Sequence, residues 1–428
     1  MKIVIVGSSH AGITLYDKRN QVSFVSQGII SYLAGQKSVL NQSSYSSVEE
    51  LKAAGLNMQM ETVVEEIDTK NKRLFYRRVN SKKTKLALYD KLIFATGSYP
   101  AMTSVPFDKK SKLYFLKSMD DAIKTDEFLK TAKNIAVIGG GMTGVEVARI
   151  AQERGIQTTL IHRNKNLLND YLDEPASHLL ESWMNAEGMR LLLNTEVTEI
   201  GSDEENTIIQ TANGQKIPVD GVIFTIGFRP NSYLLNQQVE LGDSGAVIVD
   251  EYMQTTCPDV FAVGDVSTTY VNLLEKSYYL PHASDAVRDG EIAAINLLAP
   301  HQKINSSQGT YHVPMNNLVM AMTGITIRQA VDAGYDADAV HLLNEHLDGH
   351  LPSNIWMIYE RRTHQILGLQ RIGKTSDMAE YVNIFSLAIQ QELKIEDIEF
   401  TDFYFEHGYK DPRGLNRILA RLVRENER

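Results

Sequence analysis

The sequence contains a single cysteine, Cys257, among 428 residues, so no intramolecular disulfide can form. A chain that needs no disulfide needs no oxidising compartment, which favours the cytoplasm. The sequence also lacks an excess of positive charge, because its 43 Lys and Arg residues are fewer than its 53 Asp and Glu residues and the net charge is −10. This balance argues against a general binder of nucleic acid or of anionic membranes.

Long apolar runs are absent as well. The first run, Ile3–Val6, is too short for the core of a signal peptide, and no later run approaches the length of a membrane span. The chain is long enough for two or three domains, and its 43% of hydrophobic residues can fill a sizeable core. We therefore expect a globular enzyme without a membrane span, and no metal site is predicted.

Strand-like and helix-like patterns alternate through most of the first 300 residues, which favours parallel α/β layers. An apolar strand is followed by a glycine-rich turn at Gly7 and again at Gly139, which indicates a duplicated nucleotide-binding fold. From about Asn305 short strands alternate with helices, which indicates a separate α+β domain.

The second glycine-rich unit predicts a dinucleotide site. Gly139 permits a tight turn, Gly141 lets the backbone approach a pyrophosphate, and Gly144 lets the following helix pack on the strand. The amino end of that helix offers amide donors and the positive end of its dipole to the phosphates. A merely structural turn is the alternative interpretation.

The returning strand of this unit ends at HRNK, residues 162–165, where an NAD site usually has an acidic residue for the ribose. A cationic side chain at this place suits a 2′-phosphate instead. We therefore expect His162 and Arg163 at the adenosine end and favour NADPH over NADH. A solvated basic turn is the other interpretation.

Further segments appear in a fixed order: ATG at 95–97, GFRPN at 227–231, CPDVFAVGD at 257–265 and LPHAS at 280–284. With them the chain resembles, over essentially its whole length, the pyridine nucleotide–disulfide oxidoreductase family. The branch that it resembles most contains NADH oxidase, NADH peroxidase and coenzyme A disulfide reductase. The resemblance implies an FAD domain at residues 1–105 and 231–304, an NAD(P) domain at 106–230, a dimerisation domain at 305–428, and a homodimer.

The resemblance also assigns roles to individual residues. It implies that Asp17 holds the FAD ribose, Asp265 the ribityl chain, and that Glu146 lies near the nicotinamide. The helix start at residues 281–283 would lie beside the flavin pyrimidine. From spacing alone, the alternative interpretation of Glu146 is a first-turn acid favoured by the helix dipole. The cofactor-binding residues so predicted are Gly7, Ser9, Gly12, Asp17, Ala95, Thr96, Gly97, Gly139, Gly141, Gly144, His162, Arg163, Gly227, Gly264, Asp265, Pro281, His282 and Ala283.

One departure from the family concerns the redox cysteine, whose place is taken by Gln27. Glutamine forms no thiolate, sulfenic acid or mixed disulfide, and nothing around Cys257 suggests an activated thiol. Thiol-based chemistry is therefore not expected. His10 keeps the family's active-site histidine position and could hydrogen-bond an oxygen species or the Gln27 amide. The catalytic candidates are His10, Gln27 and Glu146.

The other departure is a missing crossover. The strand-like run at residues 14–16 begins two residues after Gly12, whereas a parallel strand pair usually needs a dozen or more connecting residues. We expect this run to return as an antiparallel hairpin or a bent segment. The loss would leave one face of the sheet uncovered and would remove amide donors to FAD, each worth roughly 1.5–3 kcal/mol.

The predicted function is therefore an FAD-dependent NAD(P)H oxidoreductase that uses no thiol. It would pass a hydride from NAD(P)H to the flavin, and electrons on to oxygen or another small acceptor. The alternative is a flavin-free relative that acts as an NAD(P)-binding sensor or an inactive dimer partner.

Overall fold

The computed structural model describes residues 2–6, 14–22, 24–25, 28–36, 44–101, 105–315, 318–344, 352–374, 378–403 and 414–427. The predicted residues Gly7, Ser9, His10, Gly12 and Gln27 lie outside these ranges. Within them, no helix combines the length and the apolar character that crossing a bilayer requires.

Strands and helices alternate through the first 230 residues. The N-terminal part contains β1 (Ile3–Val6), β2 (Thr14–Tyr16), α1 (Gly28–Leu33), α2 (Val48–Ala53), β3 (Asn57–Gln59), β4 (Thr62–Asp68), β5 (Arg73–Arg78), β6 (Lys85–Leu88), β7 (Lys91–Phe94) and β8 (Ser98–Pro100). The next part contains β9 (Leu113–Tyr114), α3 (Met119–Leu129), β10 (Asn134–Ile138), α4 (Met142–Glu153), β11 (Gln157–Ile161), α5 (Glu174–Ala186), β12 (Arg190–Leu192), β13 (Val197–Ser202), β14 (Thr207–Thr211), β15 (Lys216–Val219) and β16 (Gly221–Phe224).

The remaining residues return to the first sheet and then form the C-terminal part. The return contains β17 (Phe228–Pro230), β18 (Val260–Ala262), β19 (Thr269–Val271), β20 (Lys276–Tyr278) and α6 (Ala283–Asn296). The C-terminal part contains β21 (Tyr311–Met315), β22 (Leu318–Gly324), α7 (Ile327–Asp332), β23 (Ala337–Asn344), β24 (Ser353–Glu360), β25 (Ile366–Gly373), α8 (Met378–Gln390), α9 (Ile395–Glu399) and α10 (Gly414–Asn426).

Two five-stranded parallel sheets form the centre of the first 300 residues. Their strand orders are β18-β7-β1-β2-β3 and β12-β11-β10-β16-β9. Four of the five residues of β10 are buried, as expected for a strand covered on both faces. Because ligands bind at the carboxyl ends of such strands, the ends of β1 and β10 are the candidate sites.

The expected antiparallel or bent return of the second strand is wrong. β2 pairs with β1 in parallel, with Val4 opposite Thr14 and Val6 opposite Tyr16. To pair in this register, the chain must run from the end of β1 back by two residues and across to the neighbouring strand. The distance from Val6 to Thr14 is then about 8 Å. Residues 7–13 can span more than about 20 Å when extended, so their length suffices without a full helical crossover.

The expectation that one face of this sheet is uncovered is also wrong. On one face the fully buried Ile5 and Leu15 pack against α2 and α6. On the other face Val4 and Leu92 pack against β4 and β5. Elements that follow later in the chain thus cover both faces of the sheet.

The C-terminal part is an antiparallel sheet in the order β21-β22-β25-β24-β23. All eight residues of β25 are buried, because α8 and α10 cover one face and the second parallel sheet, through α4 and α5, lies against the other. Ile29 and Leu33 of α1 join α4, β21 and β22 in the same core. The predicted fold class, two Rossmann-like sheets and an α+β C-terminal domain, is confirmed.

Candidate functional site

A cavity of about 790 Å³ opens at the carboxyl end of β10, between the second parallel sheet, α1 and β21. Nine of the predicted residues line it: Gly139, Gly141, Glu146, His162, Arg163, Gly227, Pro281, His282 and Ala283. A second cavity of about 420 Å³ shares Arg163, Asn164, Thr195 and Glu196 with the first. The other predicted residues that the structure describes lie away from both cavities: Asp17, Ala95, Thr96, Gly97, Gly144, Gly264 and Asp265.

The glycine turn between β10 and α4 leaves the amino end of the helix open. Gly139 has a φ of 116°, and a Cβ there would overlap the carbonyl of Thr225. A Cβ at Gly144 would overlap the carbonyl oxygen of Gly139, so the helix can pack this closely only on glycine. Gly141 is the N-cap, with no side-chain cap and no atom within 4 Å of a Cβ added there. Free amides and open space at this end of α4 fit an anionic pyrophosphate.

His162, directly after β11, is directed into the protein. Its Nδ1 accepts the Gly140 N–H at 3.0 Å, and its Nε2 lies 3.1 Å from Asn169 Oδ1. Burial lowers the pKa of the ring, with smaller opposing effects from Asn169 and Asp170. The imidazole is therefore neutral, and both of its nitrogens are occupied by the protein.

Arg163 presents the cationic group at this end of the site. The side chain is exposed and lines both cavities, and no carboxylate of the described chain forms an ion pair with it. Lys165 differs, because its Nζ lies 2.5 Å from Glu174 Oε1 and it lines neither cavity. The basic segment thus contributes one available cation rather than a diffuse positive surface.

Glu146 lies one turn into α4 and lines the larger cavity. Burial raises the pKa of its carboxyl to about 7, and Arg149 opposes the shift. Such a group changes charge near neutral pH, which suits a role beside a reacting nucleotide.

His282 and Tyr311 also line the larger cavity. His282 is the N-cap residue of α6, its ring lies 4.7 Å from that of Tyr311, and its Nδ1 lies 2.6 Å from Ser284 Oγ. Burial lowers the pKa of His282 and raises that of Tyr311. Both groups are therefore uncharged at neutral pH. Tyr311 was not predicted, because it comes from the C-terminal domain and carries no motif.

Gly264 and Asp265, at the end of β18, are held by hydrogen bonds. Asp265 accepts from Ser98 Oγ and from Lys117 Nζ, both at 2.7 Å. Gly264 has a φ of 71°, and its N–H donates to Asp289 Oδ2 at 3.1 Å. Burial raises the pKa of Asp289 to about 7. Neither Lys117 nor Asp289 was predicted from the sequence, because each hydrogen-bonds a residue that is distant along the chain.

The remaining predicted residues hold the backbone near the first sheet. Asp17, at the end of β2, is buried and accepts from Arg19 Nη2 at 3.1 Å. Thr96 Oγ1 donates to the Asn231 carbonyl at 2.7 Å, and the Asn231 N–H donates to the Gly97 carbonyl at 2.9 Å. Ala95 and Gly227 lie at the two ends of the β8–β17 ribbon that links the sheets.

The two glycines at the start of α4 should respond differently to alanine. In Gly144→Ala the methyl overlaps a backbone carbonyl, so we expect a loss of about 1–3 kcal/mol in the free energy of unfolding. In Gly141→Ala the methyl enters the cavity, so the fold should persist while dinucleotide affinity falls about tenfold, or about 1.4 kcal/mol. Thermal unfolding and calorimetric titration measure the two effects. Unchanged affinity in Gly141→Ala would contradict the assignment of the pyrophosphate position.

Asp289 should make stability depend on pH. Its folded pKa of about 7 exceeds the unfolded value of about 3.9, so the folded chain holds a proton that the unfolded chain releases. Its stabilising contribution is complete below about pH 4 and is lost as the pH rises to 7, at up to about 1.4 kcal/mol per unit. Asp289→Asn keeps an oxygen for Gly264 and does not titrate. Relative to the wild type it should therefore gain stability between pH 5 and 8 in urea unfolding.

The matched control for this prediction is Asp243→Asn, whose side chain is 98% exposed. It should show no pH-dependent difference from the wild type. Parallel stability curves for Asp289→Asn and the wild type would show that Asp289 is ionised in the folded chain.

Known proteins resemble this chain over its whole length. The NADH oxidase of Enterococcus faecalis is 32% identical over 446 residues and matches 100% of both chains. The water-forming NADH oxidase of Lactobacillus brevis, bound to NADH, superposes with a TM-score of 0.95 at 30% identity and covers 100% of this chain and 99% of its own. An engineered water-forming NADPH oxidase bound to NADPH gives the same values.

Two family models match successive parts of the chain. The model of the pyridine nucleotide-disulphide oxidoreductase family matches residues 1–290, and the model of that family's dimerisation domain matches residues 313–405. The predicted resemblance and the predicted enzyme class, an FAD-dependent NAD(P)H oxidoreductase, are confirmed. The chain belongs to the pyridine nucleotide-disulphide oxidoreductase family.

Proposed function

We propose that the enzyme oxidises NADPH, uses no thiol, and reduces oxygen by two electrons. The overall reaction is NADPH + H⁺ + O₂ → NADP⁺ + H₂O₂, in which the hydride of NADPH and one proton reach the oxygen molecule. A quinone or dye could replace oxygen as the acceptor. The enzyme is proposed to act as a cytoplasmic homodimer, with the domain boundaries given above.

The position of the only thiol carries this proposal. Cys257 lies before β18, whose far end leads to Gly264 and Asp265. The thiol therefore lies at the amino-terminal edge of the first sheet, beside Lys72 and Tyr89, and the ligand edge is opposite. Without a thiol at the site, nothing in the described chain stores the second electron pair that reduction of oxygen to water requires.

The described residues near Asp265 fit FAD. Tyr279 lines the larger cavity, and its buried hydroxyl makes no hydrogen bond of good geometry within the described chain, although it faces Ser98. A buried polar atom of this kind indicates a missing partner. Asp265 would hold the ribityl chain, Asp17 the ribose, and the α6 start at Pro281–Ala283 the pyrimidine. FAD, when bound, supplies the hydride acceptor.

The protein's own residues orient the nucleotide. The open amides of α4 and the Arg163 cation attract its phosphates to one end of the cavity. Glu146 would then lie near the nicotinamide, with His282 and Tyr311 forming the wall that excludes water there. His10 and Gln27 lie outside the described residues, so their proposed catalytic roles rest on sequence.

The preference for NADPH is proposed from Arg163. The natural relatives are named for NADH. The engineered relative bound to NADPH has an aspartate replaced by alanine and the following residue replaced by arginine. Here β11 is followed by a histidine, neutral in the structure, and then by Arg163. The absence of an acid directly after β11 and the presence of an available cation there favour a 2′-phosphate.

Oxygen stoichiometry tests the reaction. We expect a yellow protein that consumes one NADPH per oxygen and releases one hydrogen peroxide, and we expect Cys257→Ala to retain this activity. Two NADPH per oxygen without peroxide, or loss of activity in Cys257→Ala, would overturn the proposal. A colourless protein that is stabilised by NADPH and cannot be loaded with FAD would favour the flavin-free sensor instead.

Arg163→Ala should separate the two nucleotides. Loss of a charge-assisted contact to the 2′-phosphate should raise the KM for NADPH about tenfold, or about 1.4 kcal/mol, and leave the KM for NADH within about twofold. Lys165→Ala, which removes a paired cation from the same segment, is the control and should change neither value. An equal rise for NADH would mean that Arg163 does not contact the 2′-phosphate.

A further inference from the structure

The loop after β11 holds both polar groups of the Gly140 peptide unit. The Gly140 N–H donates to His162 Nδ1 at 3.0 Å, and the Gly140 carbonyl accepts from the Leu168 N–H at 2.9 Å. His162 and Leu168 thus hydrogen-bond the two polar groups of Gly140 in the glycine turn. Both contacts end on the backbone of the turn, at a residue that lines the larger cavity.

The loop that makes these two hydrogen bonds contains a strained backbone position. Leu168 has a φ of 53°, a left-handed conformation that is uncommon for leucine, and its side chain is fully buried. A Cβ at Gly140 would lie 2.7 Å from His162 Cγ and 2.6 Å from Leu167 Cδ2. Gly140 therefore lacks a side chain so that the histidine ring and the loop can pack against it.

The ring is fixed in one tautomer by its surroundings. Nδ1 must be unprotonated to accept from Gly140, so Nε2 carries the hydrogen and donates to Asn169 Oδ1. Asn164 Nδ2 also donates to Asn169 Oδ1 at 2.9 Å, which holds the asparagine in place. No nitrogen of the ring is left for a phosphate or a ribose hydroxyl.

We propose that His162 is a positioning residue that fixes the glycine turn through the Gly140 amide and so sets the affinity for every pyridine dinucleotide, whereas Arg163 alone recognises the 2′-phosphate. This inference rests on the nucleotide site of the proposed function. It changes the role that the sequence predicted for His162, from a contact with the adenosine end to support of the pyrophosphate turn.

Two substitutions at one position test the inference. His162→Asn keeps an oxygen near the place of Nδ1, whereas His162→Leu has a similar bulk and no acceptor. We expect His162→Leu to raise the Kd of NADP⁺ and of NAD⁺ by the same factor, about tenfold, and His162→Asn to stay within about threefold of the wild type. Arg163→Ala should weaken NADP⁺ alone. Calorimetry gives the Kd values.

Three results would overturn the inference. They are a loss confined to NADP⁺ in His162→Leu, equal losses in His162→Leu and His162→Asn, and no loss in His162→Leu. If His162→Leu does not fold, ¹⁵N NMR of the wild-type ring decides, because a protonated Nδ1 would exclude the Gly140 contact.

The binding assays use oxidised nucleotides, so they do not depend on flavin reduction or on oxygen. A wild type that binds both nucleotides and reduces no oxygen would overturn the proposed reaction and leave this inference intact. A wild type that binds neither nucleotide would remove the site on which both rest.

Discussion

The close approach of α4 to β10 is the constraint on which the rest of the site depends. It requires glycine at Gly144, where a Cβ would overlap the Gly139 carbonyl oxygen, and the turn itself requires glycine at Gly139, where a Cβ would overlap the carbonyl of Thr225 after β16. Because the helix starts so near the strand end, its uncapped amides open directly into the cavity. The same helix packs against α1 and the C-terminal strands, so it joins the cavity to the core that these elements share.

The lining of the larger cavity combines charged and uncharged groups. The Arg163 cation and the open amino end of α4 belong to this lining, together with the acidic side chains of Asp170 and Glu196. Burial keeps His282 and Tyr311 uncharged and brings the pKa of Glu146 to about 7. In the proposed binding mode the phosphates lie at Arg163 and α4, and the nicotinamide lies near Glu146.

Local chemistry explains what could be predicted from the sequence. The turn from Gly139 to Gly144 and the strands beside it follow from glycine spacing and apolar pattern, and the structure places them as expected. The sense of the β1–β2 pairing was predicted wrongly, because connection length limits the reach of the chain and does not fix strand direction. Tyr311 and Asp289 could not be found, since distant segments bring them to the site.

His162 shows a different limit of sequence reasoning. A basic segment after β11 indicates a phosphate, yet the direction of each side chain depends on the loop that follows. Asn169 and the Gly140 amide hold the histidine ring at the glycine turn, and the arginine next to it lines the cavity. Residue type suggests the kind of ligand, whereas the different environments of two adjacent basic residues depend on tertiary contacts.

The short connection between β1 and β2 also bears on how the chain folds. Closing a loop of seven residues costs less conformational entropy than closing one of some twenty-five, by about 1 kcal/mol at roughly 0.6 kcal/mol per doubling of length. The β1–β2 pair is therefore among the most local contacts of the first sheet in sequence. By contrast, β18 pairs with β7 from more than 160 residues further along the chain. If the β1–β2 pair forms early, it offers β7 a strand edge to join, and β18 can then join β7. The short connection therefore favours a folding order in which the local pair forms before the distant strands add to it.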